Sequence, residues 1–329
     1  MLTLRKTIFS LLLLYPIWTH SQDTFRNDVF LMGCDFDITV VADNEAEAQG
    51  FIHLAISEIK RIESLISSWS SSSQTSDINR MAGKEPVIVD PELFQLIERC
   101  IQISKSTDGA FDISYASIDH IWKFDGSMTK APNKEEIESS VKCVNYQDIV
   151  LNPAQSSVFL KRKGMKLGFG AIGKGYAADK AKELLVSKGV QAGIINASGD
   201  MNAWGTQPNG EPWQIAITNP LNKNKVFARL PLKNRSVVTS GNYEKFIVLD
   251  GKRYSHIIDP RTGWPCSGLA SVTVLAPKAE LADGLATSVF VMGIETGLDR
   301  INQIPSVDCI IIDDQGGIHK SAHIEIENL

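Results

Sequence analysis

The chain has 329 residues, 43% of them hydrophobic, and a formal net charge of -5. That length and apolar share can fill a real core in one large domain or two tightly joined lobes. The acidic balance, without basic clusters, argues against a nucleic-acid surface. The five cysteines (Cys34, Cys100, Cys143, Cys266, Cys309) form neither a metal-ligand pair nor a disulfide framework.

Arg5 and Lys6 precede an apolar run from Thr7 to Trp18, followed by Thr19-His20-Ser21-Gln22. This pattern predicts a signal peptide over residues 1–21 with cleavage after Ser21, the alternative being an uncleaved anchor. No Cys follows the run closely, so no lipoprotein anchor is written here. The expectation is export, to the periplasm in a bacterium, of a soluble domain over residues 22–329 with no later membrane span.

Phe30 to Val41 reads as one strand, with Met32-Gly33 near its start. Asn44 offers an N-cap, and Ala48, Ile52, Ala55, Ile59, Ile62 and Ile66 trace the buried stripe of a long helix. Ser67 to Ser76 is serine-rich and reads as a solvated linker. Trp69 inside it is either a packing anchor or a stacking platform. Asp90-Pro91 starts a helix that runs to about Thr107. It ends in Thr107-Asp108-Gly109-Ala110-Phe111-Asp112, where two carboxylates either cap the turn or line a pocket. Asn133 and Glu136 make a capping box for a short helix to Cys143. Ile149 to Leu151 and Val158 to Lys161 form a hairpin that leads to the glycines.

Leu167 to Lys180, LGFGAIGKGYAADK, is the centre of the chain. It reads as an apolar strand end, a loop with four glycines around Lys174, and a helix that Gly189 stops. Glycines let backbone approach a ligand, and a helix N-terminus favours an anion, so the stretch is a candidate phosphate cradle. The bland alternative is a glycine-rich turn without a ligand. Gly168 to Lys174 imitates a Walker A loop, but Gly175 stands where that motif needs Ser or Thr for magnesium.

Short β segments follow at Ile194–Asn196, Trp213–Thr218, Val226–Leu230 and Ser236–Thr239. Phe246–Leu249 and Arg253–Ile258 flank Asp250-Gly251, a hairpin signal. The second strand exits into YSHIIDPRTG at 254–263, which gathers His256, Asp259 and Arg261 on one loop. An Asx-type turn with incidental His and Arg is the alternative. Ala279 to Gly293 reads as a buried helix with Asp283 and Thr287 on one face. A buried carboxylate needs a partner. No Lys or Arg lies one turn away on this helix, so these two hard oxygen groups either hold magnesium or the Asp caps a neighbouring loop.

Met32-Gly33, the serine stretch ending in SDINR, TDGAFD at 107–112, GAIGKGYAAD at 170–179, YSHIIDPRTG at 254–263 and ADGLAT at 282–287 occur in that order. Together they resemble the ApbE family, the FAD:protein FMN transferases, over nearly the whole mature chain. The resemblance implies an α+β fold, with mixed sheets flanked by helices and an FAD cleft between two closely joined lobes. It implies flavin and adenine contacts at Met32, Trp69, Ala110, Phe111, Asp112, Gly168, Lys174 and Ile257, and Mg2+ on the Ala171 carbonyl, Asp283 and Thr287. Family members often carry Asp where this chain has Gly168, and a Gly-Gly-Asp turn where it has Ser198-Gly199-Asp200.

The implied reaction takes FAD as substrate. A Thr or Ser hydroxyl of an exported redox protein, on a D/S-G-A-S/T-x-A-T-like segment, attacks the FMN-side phosphorus, and AMP leaves. His256 would act as base or positioner, with Asp259 orienting it or the loop. Two other functions compete: Mg2+-dependent FAD pyrophosphatase, and a non-catalytic FAD-binding protein.

Overall fold

The computed structural model describes residues 22–118, 121–222, 226–242 and 245–324, so the signal peptide expected over 1–21 lies outside the described residues. Among these no helix is long and apolar enough to cross a membrane.

The first segment is a hairpin where the apolar pattern predicts one strand. β1 (Asp23–Leu31) and β2 (Cys34–Ala42) are joined by Met32-Gly33, both at positive φ (51° and 77°). That is the primed two-residue turn whose twist suits a hairpin. Apolar residues run through the turn, which hides the break in the sequence.

α1 (Glu45–Ile66) starts where Asn44 accepts the Glu47 N–H and buries the expected isoleucine stripe. The serine stretch is not all linker, because Ser73 caps α2 (Gln74–Arg80). After β3 (Val87–Ile88), Asp90 and Pro91 open α3 (Pro91–Ser106). Asp112 then caps a 3-10 turn over Ile113–Ser117. The Asn133–Glu136 capping box forms and opens α4 (Lys134–Ser140). β4 (Ile149–Asn152) and β5 (Ser157–Leu160) pair as expected, and β3 extends them to three strands.

No strand precedes the glycines, and α5 (Gly173–Ser187) takes two of them into its first turn. β6 (Gly193–Ala197), β7 (Asp200–Trp204), β8 (Trp213–Thr218) and β9 (Val226–Leu232) follow. Next come β10 (Ser236–Gly241), β11 (Phe246–Leu249), β12 (Lys252–Ser255) and β13 (Leu269–Ala276). α6 (Ala279–Met292), α7 (Ile294–Asn302), β14 (Asp308–Asp313) and β15 (Ile318–Lys320) complete the order.

The class is α+β, with several sheets, each antiparallel in its paired strands. The main sheet has eight strands in the order β1-β2-β6-β7-β10-β13-β14-β15. Alternate residues of these strands serve two cores, as the period of a strand requires. Val40 and Ile195 join α1, α3 and α5, while Val238, Val274 and Ile311 join α6 and α7. Their neighbours Val41, Val237 and Ile310 turn the other way and pack on the β8–β9 hairpin. Helices therefore cover one face and a hairpin the other.

Candidate functional site

The stretch leading into α5 is irregular backbone pinned from both sides. On one side the Asn79 side chain accepts the Leu167 N–H at 2.6 Å and donates to the Leu167 carbonyl at 3.0 Å. On the other, the 3-10 turn takes three contacts in step. Ser117 Oγ accepts the Lys166 N–H at 2.7 Å, the Ile113 carbonyl accepts Gly168 N–H at 2.9 Å, and Tyr115 Oη accepts Gly170 N–H at 3.1 Å. The Phe169 carbonyl then accepts the Ile172 and Gly173 N–H groups, which turns the chain into the helix. Met32 packs partly buried beside this turn, its Cε near Gly173.

The first turn of α5 is the chemical centre. Gly175 is the third residue of α5, so its N–H has no carbonyl partner within the helix. Here it donates instead to Asp283 Oδ2 at 3.1 Å. Among the described residues no donor reaches the Ala171 carbonyl, and α5 has no side-chain N-cap. Asp283 is only 4% exposed. Burial, with Asp200 beside it, pushes its carboxyl up, and Lys174 together with the Gly175 N–H partly offsets this. Lys174 Nζ lies 2.5 Å from Asp200 Oδ2. Burial opposes its charge, but Asp200 and Asp283 outweigh burial and hold the ammonium above its ordinary range. The cation absent from α6 is thus supplied by α5. Thr287 follows one turn after Asp283, its hydroxyl 3.5 Å from Ser240 Oγ.

Among the described residues no three His, Cys, Asp or Glu side chains gather as a metal site. A cation here would rest on one carboxylate, one hydroxyl and one carbonyl, and take its other ligands from water or phosphate. That hard, incomplete oxygen set fits magnesium.

Asp112 combines its two alternatives. It caps, accepting from Ser114 N–H at 2.7 Å, Ser114 Oγ at 2.6 Å and Tyr146 N–H at 2.8 Å. It also lines a cavity of about 340 Å³ with Asp108, Gly109, Tyr146, Pro260 and Arg261. Motifs about 150 residues apart in the chain thus meet around one space. The side chains of Ala110 and Phe111 are buried, Phe111 within the helix-side core. Trp69 is 90% exposed, which removes the packing-anchor alternative and leaves an open aromatic face.

On the last loop, Arg261 grips Asp259 with Nε and Nη2, both at 2.9 Å, and the Arg261 N–H adds a third bond. This arrangement braces the loop. His256 is exposed, with Nδ1 3.2 Å from the Lys245 carbonyl. A proton on Nδ1 would be directed there, making Nε2 the basic nitrogen. Ile257 packs against the α6 core.

The structure brings Met32, Gly168, Ala171, Lys174 and Asp283 toward the N-terminal turn of α5, with Thr287 one turn beyond Asp283 beside Ser240, and Asp112 and the loop of Asp259 to the cavity. Two groups escaped the sequence reading. Asp200 figured only as the end of a turn, and Tyr115 not at all, because each is tied to the cradle by long-range contact.

Several known proteins share this arrangement of chain. The sequence profile of the ApbE family matches residues 32–311. An FAD:protein FMN transferase of Klebsiella pneumoniae is 33% identical over 284 residues, spanning 86% of this chain and 87% of the relative. One from Treponema pallidum is 30% identical over 292 residues, spanning 83% and 81%. The crystal structure of the ApbE protein of Thermotoga maritima matches with a TM-score of 0.83 at 31% identity, over 91% of this chain and 97% of that one. The apo flavinyl transferase ApbE of Pseudomonas stutzeri gives 0.80 at 26% identity, over 91% and 94%. The match takes in the hairpin turn at Met32, the glycine stretch and α6 alike, and on these grounds the chain belongs to the ApbE family.

Proposed function

We propose that this protein is an FAD:protein FMN transferase, which moves FMN from FAD to a Thr or Ser hydroxyl of an exported redox protein and releases AMP. The observation that carries this reading is the open Ala171 carbonyl beside Asp283 at the uncapped start of α5, a place for a pyrophosphate and its cation. Relatives named for this reaction, aligned over most of the chain, support the same reading.

The geometry supports the following roles. Ala171, Asp283 and Thr287 would hold Mg2+, which when bound neutralises charge developing on the pyrophosphate. The N-terminal turn of α5 attracts the phosphates. Lys174, held by Asp200, keeps positive charge near them. Trp69 offers its face to a flavin or adenine ring. His256 Nε2 takes the proton of the incoming hydroxyl as its oxygen bonds to the FMN phosphorus. The bond from that phosphorus to the bridging oxygen breaks, and AMP leaves with the oxygen. Asp259 and Arg261 keep the loop of His256 in place. The acceptor would present a D/S-G-A-S/T-x-A-T-like segment, and residues 1–21 would direct export to the periplasm.

The test incubates the chain lacking residues 1–21 with FAD, Mg2+ and a domain bearing that segment, following acceptor mass and nucleotides. An FMN-sized mass gain with matching AMP supports transfer, and Asp283→Asn should abolish it. AMP and free FMN over an unmodified acceptor would instead make the chain a pyrophosphatase. Intact bound FAD under all conditions would make it a binding protein.

A further inference from the structure

Gly168 and Gly170 are small for a reason that lies on another segment. A Cβ built on Gly170 would run into the Tyr115 hydroxyl. One built on Gly168 would lie 2.8 Å from Ala116 Cβ and 3.5 Å from Tyr115 Oη. The phenol of Tyr115 therefore occupies the volume that a side chain on the loop would fill. Its position is fixed, since the Ser117–Lys166 and Ile113–Gly168 bonds hold the 3-10 turn against the loop on the same register.

A phenol hydroxyl has one proton to donate and can accept as well. Here the accepting side takes the Gly170 N–H, while among the described residues the proton reaches no acceptor. Burial keeps the phenol protonated, and the nearby charge of Asp283 acts in the same direction. The hydroxyl thus sits one residue from the open Ala171 carbonyl and within electrostatic range of the Asp283 carboxylate. The uncapped N-terminus of α5 begins two residues further on. These groups frame the space in which an anion would be held.

We propose that Tyr115 is a substrate-binding residue of this cradle, donating its hydroxyl proton to a pyrophosphate oxygen of the bound dinucleotide while it holds the Gly170 N–H. The proposal rests on the flavin-transfer reading for the identity of that dinucleotide. In the chain N–H to O–H to phosphate oxygen, each donor polarises the next, so the contact is stronger than a lone hydroxyl would make it. It also gives the loop a side-chain contact to phosphate although position 168 has no side chain.

Tyr115→Phe keeps the ring and removes only the oxygen. Calorimetric titration of the wild-type chain and this variant with FAD, ADP and riboflavin, all with Mg2+, separates the possibilities. The expected result is an approximately tenfold rise in Kd for both FAD and ADP, because a charge-assisted hydrogen bond of this size is lost. Riboflavin, which carries no phosphate, should be unaffected, and the melting temperature of the unliganded variant should fall only slightly, because the exposed Gly170 N–H can turn to water. Unchanged affinity for FAD and ADP would overturn the proposal. So would an equal loss for riboflavin or a large fall in melting temperature, either of which would make the phenol a packing group. A wild-type chain that binds ADP but not FAD would overturn the flavin reading alone, and the ADP ratio would then decide the role of Tyr115. Binding of neither nucleotide by the wild type would overturn both.

Discussion

At Gly175, in the first turn of α5, the backbone N–H has no partner within the helix and donates to Asp283. One of the helix's unpaired N–H groups is satisfied, and a buried carboxylate gains a donor it could not do without. The Ala171 carbonyl, just before the helix, is open to a cation among the described residues. Charge around the carboxylate is balanced by Lys174, itself shared with Asp200. His256 lies exposed on a loop, so replacing it should affect chemistry more than folding. His256→Ala is expected to lower the transfer rate by about 10² or more, and to flatten the rise in rate with pH that an imidazole base produces. Full transfer with an unchanged pH profile would remove His256 from the mechanism. At this scale the meeting of Lys174 and Asp283 was legible in part, because each lies in a motif with recognisable chemistry. Tyr115 was not, since its partner Gly170 lies 55 residues away and no local pattern encodes such a pairing.

The joint between α5 and α6 sets the geometry at the next scale. A Cβ on Gly175 would run into the backbone of Ala279, with Glu280 N at 2.9 Å. Alanine gains about 1 kcal/mol of helix propensity over glycine, but overpacking against main chain costs about 1–3 kcal/mol, and the close approach puts this site at the upper end. Gly175→Ala should therefore lower the melting temperature by several degrees and, by moving Asp283, weaken the proposed hold on Mg2+. An unchanged midpoint in thermal denaturation would show that the helices separate freely.

Asp179, also on α5, accepts the Ala279 and Glu280 N–H groups at 2.9 and 3.0 Å and so caps α6. Burial lifts its carboxyl to about 6 despite these bonds. The unfolded chain releases this proton near pH 4. Between these values the folded state binds more protons, so this group's contribution to stability falls as pH rises from about 4 to about 6, by up to about 3 kcal/mol. Urea unfolding at several pH values should show that slope, and Asp179→Asn should remove it. An identical slope in the variant would assign it to other groups. Caps were readable in sequence where the capping residue adjoins its helix, as at Asn44, Asp90 and Asn133. For α6 the cap comes from 100 residues earlier and could not be read. The break at Met32-Gly33 was missed for a different reason, because apolar residues continue through the turn.

Across the whole molecule, the eight-stranded sheet holds the helices on one face and the β8–β9 hairpin on the other. Class and family were legible because alternation, helical stripes and ordered motifs agree with one another. The strand order was not, since it depends on which non-adjacent segments pair. A ligand that bridges α5 and α6 should stabilise the folded chain as a unit. FAD at 100 times its Kd, with Mg2+, is expected to add about 2.7 kcal/mol and raise the melting temperature measurably. An unshifted midpoint with FAD would contradict binding to the folded state.

The contacts that complete the cradle are long in sequence, with Gly175 and Asp283 standing 108 positions apart. During synthesis this spacing becomes an interval of time. Ribosomes deliver the glycine loop well before α6, at about 5–20 residues per second, so for some seconds the nascent chain carries a phosphate cradle without its carboxylate. An incomplete chain, or one cut between β13 and α6, would lack the group proposed to hold the cation. On the role proposed for Asp283, competence to act on a nucleotide would arrive only once α6 has been made.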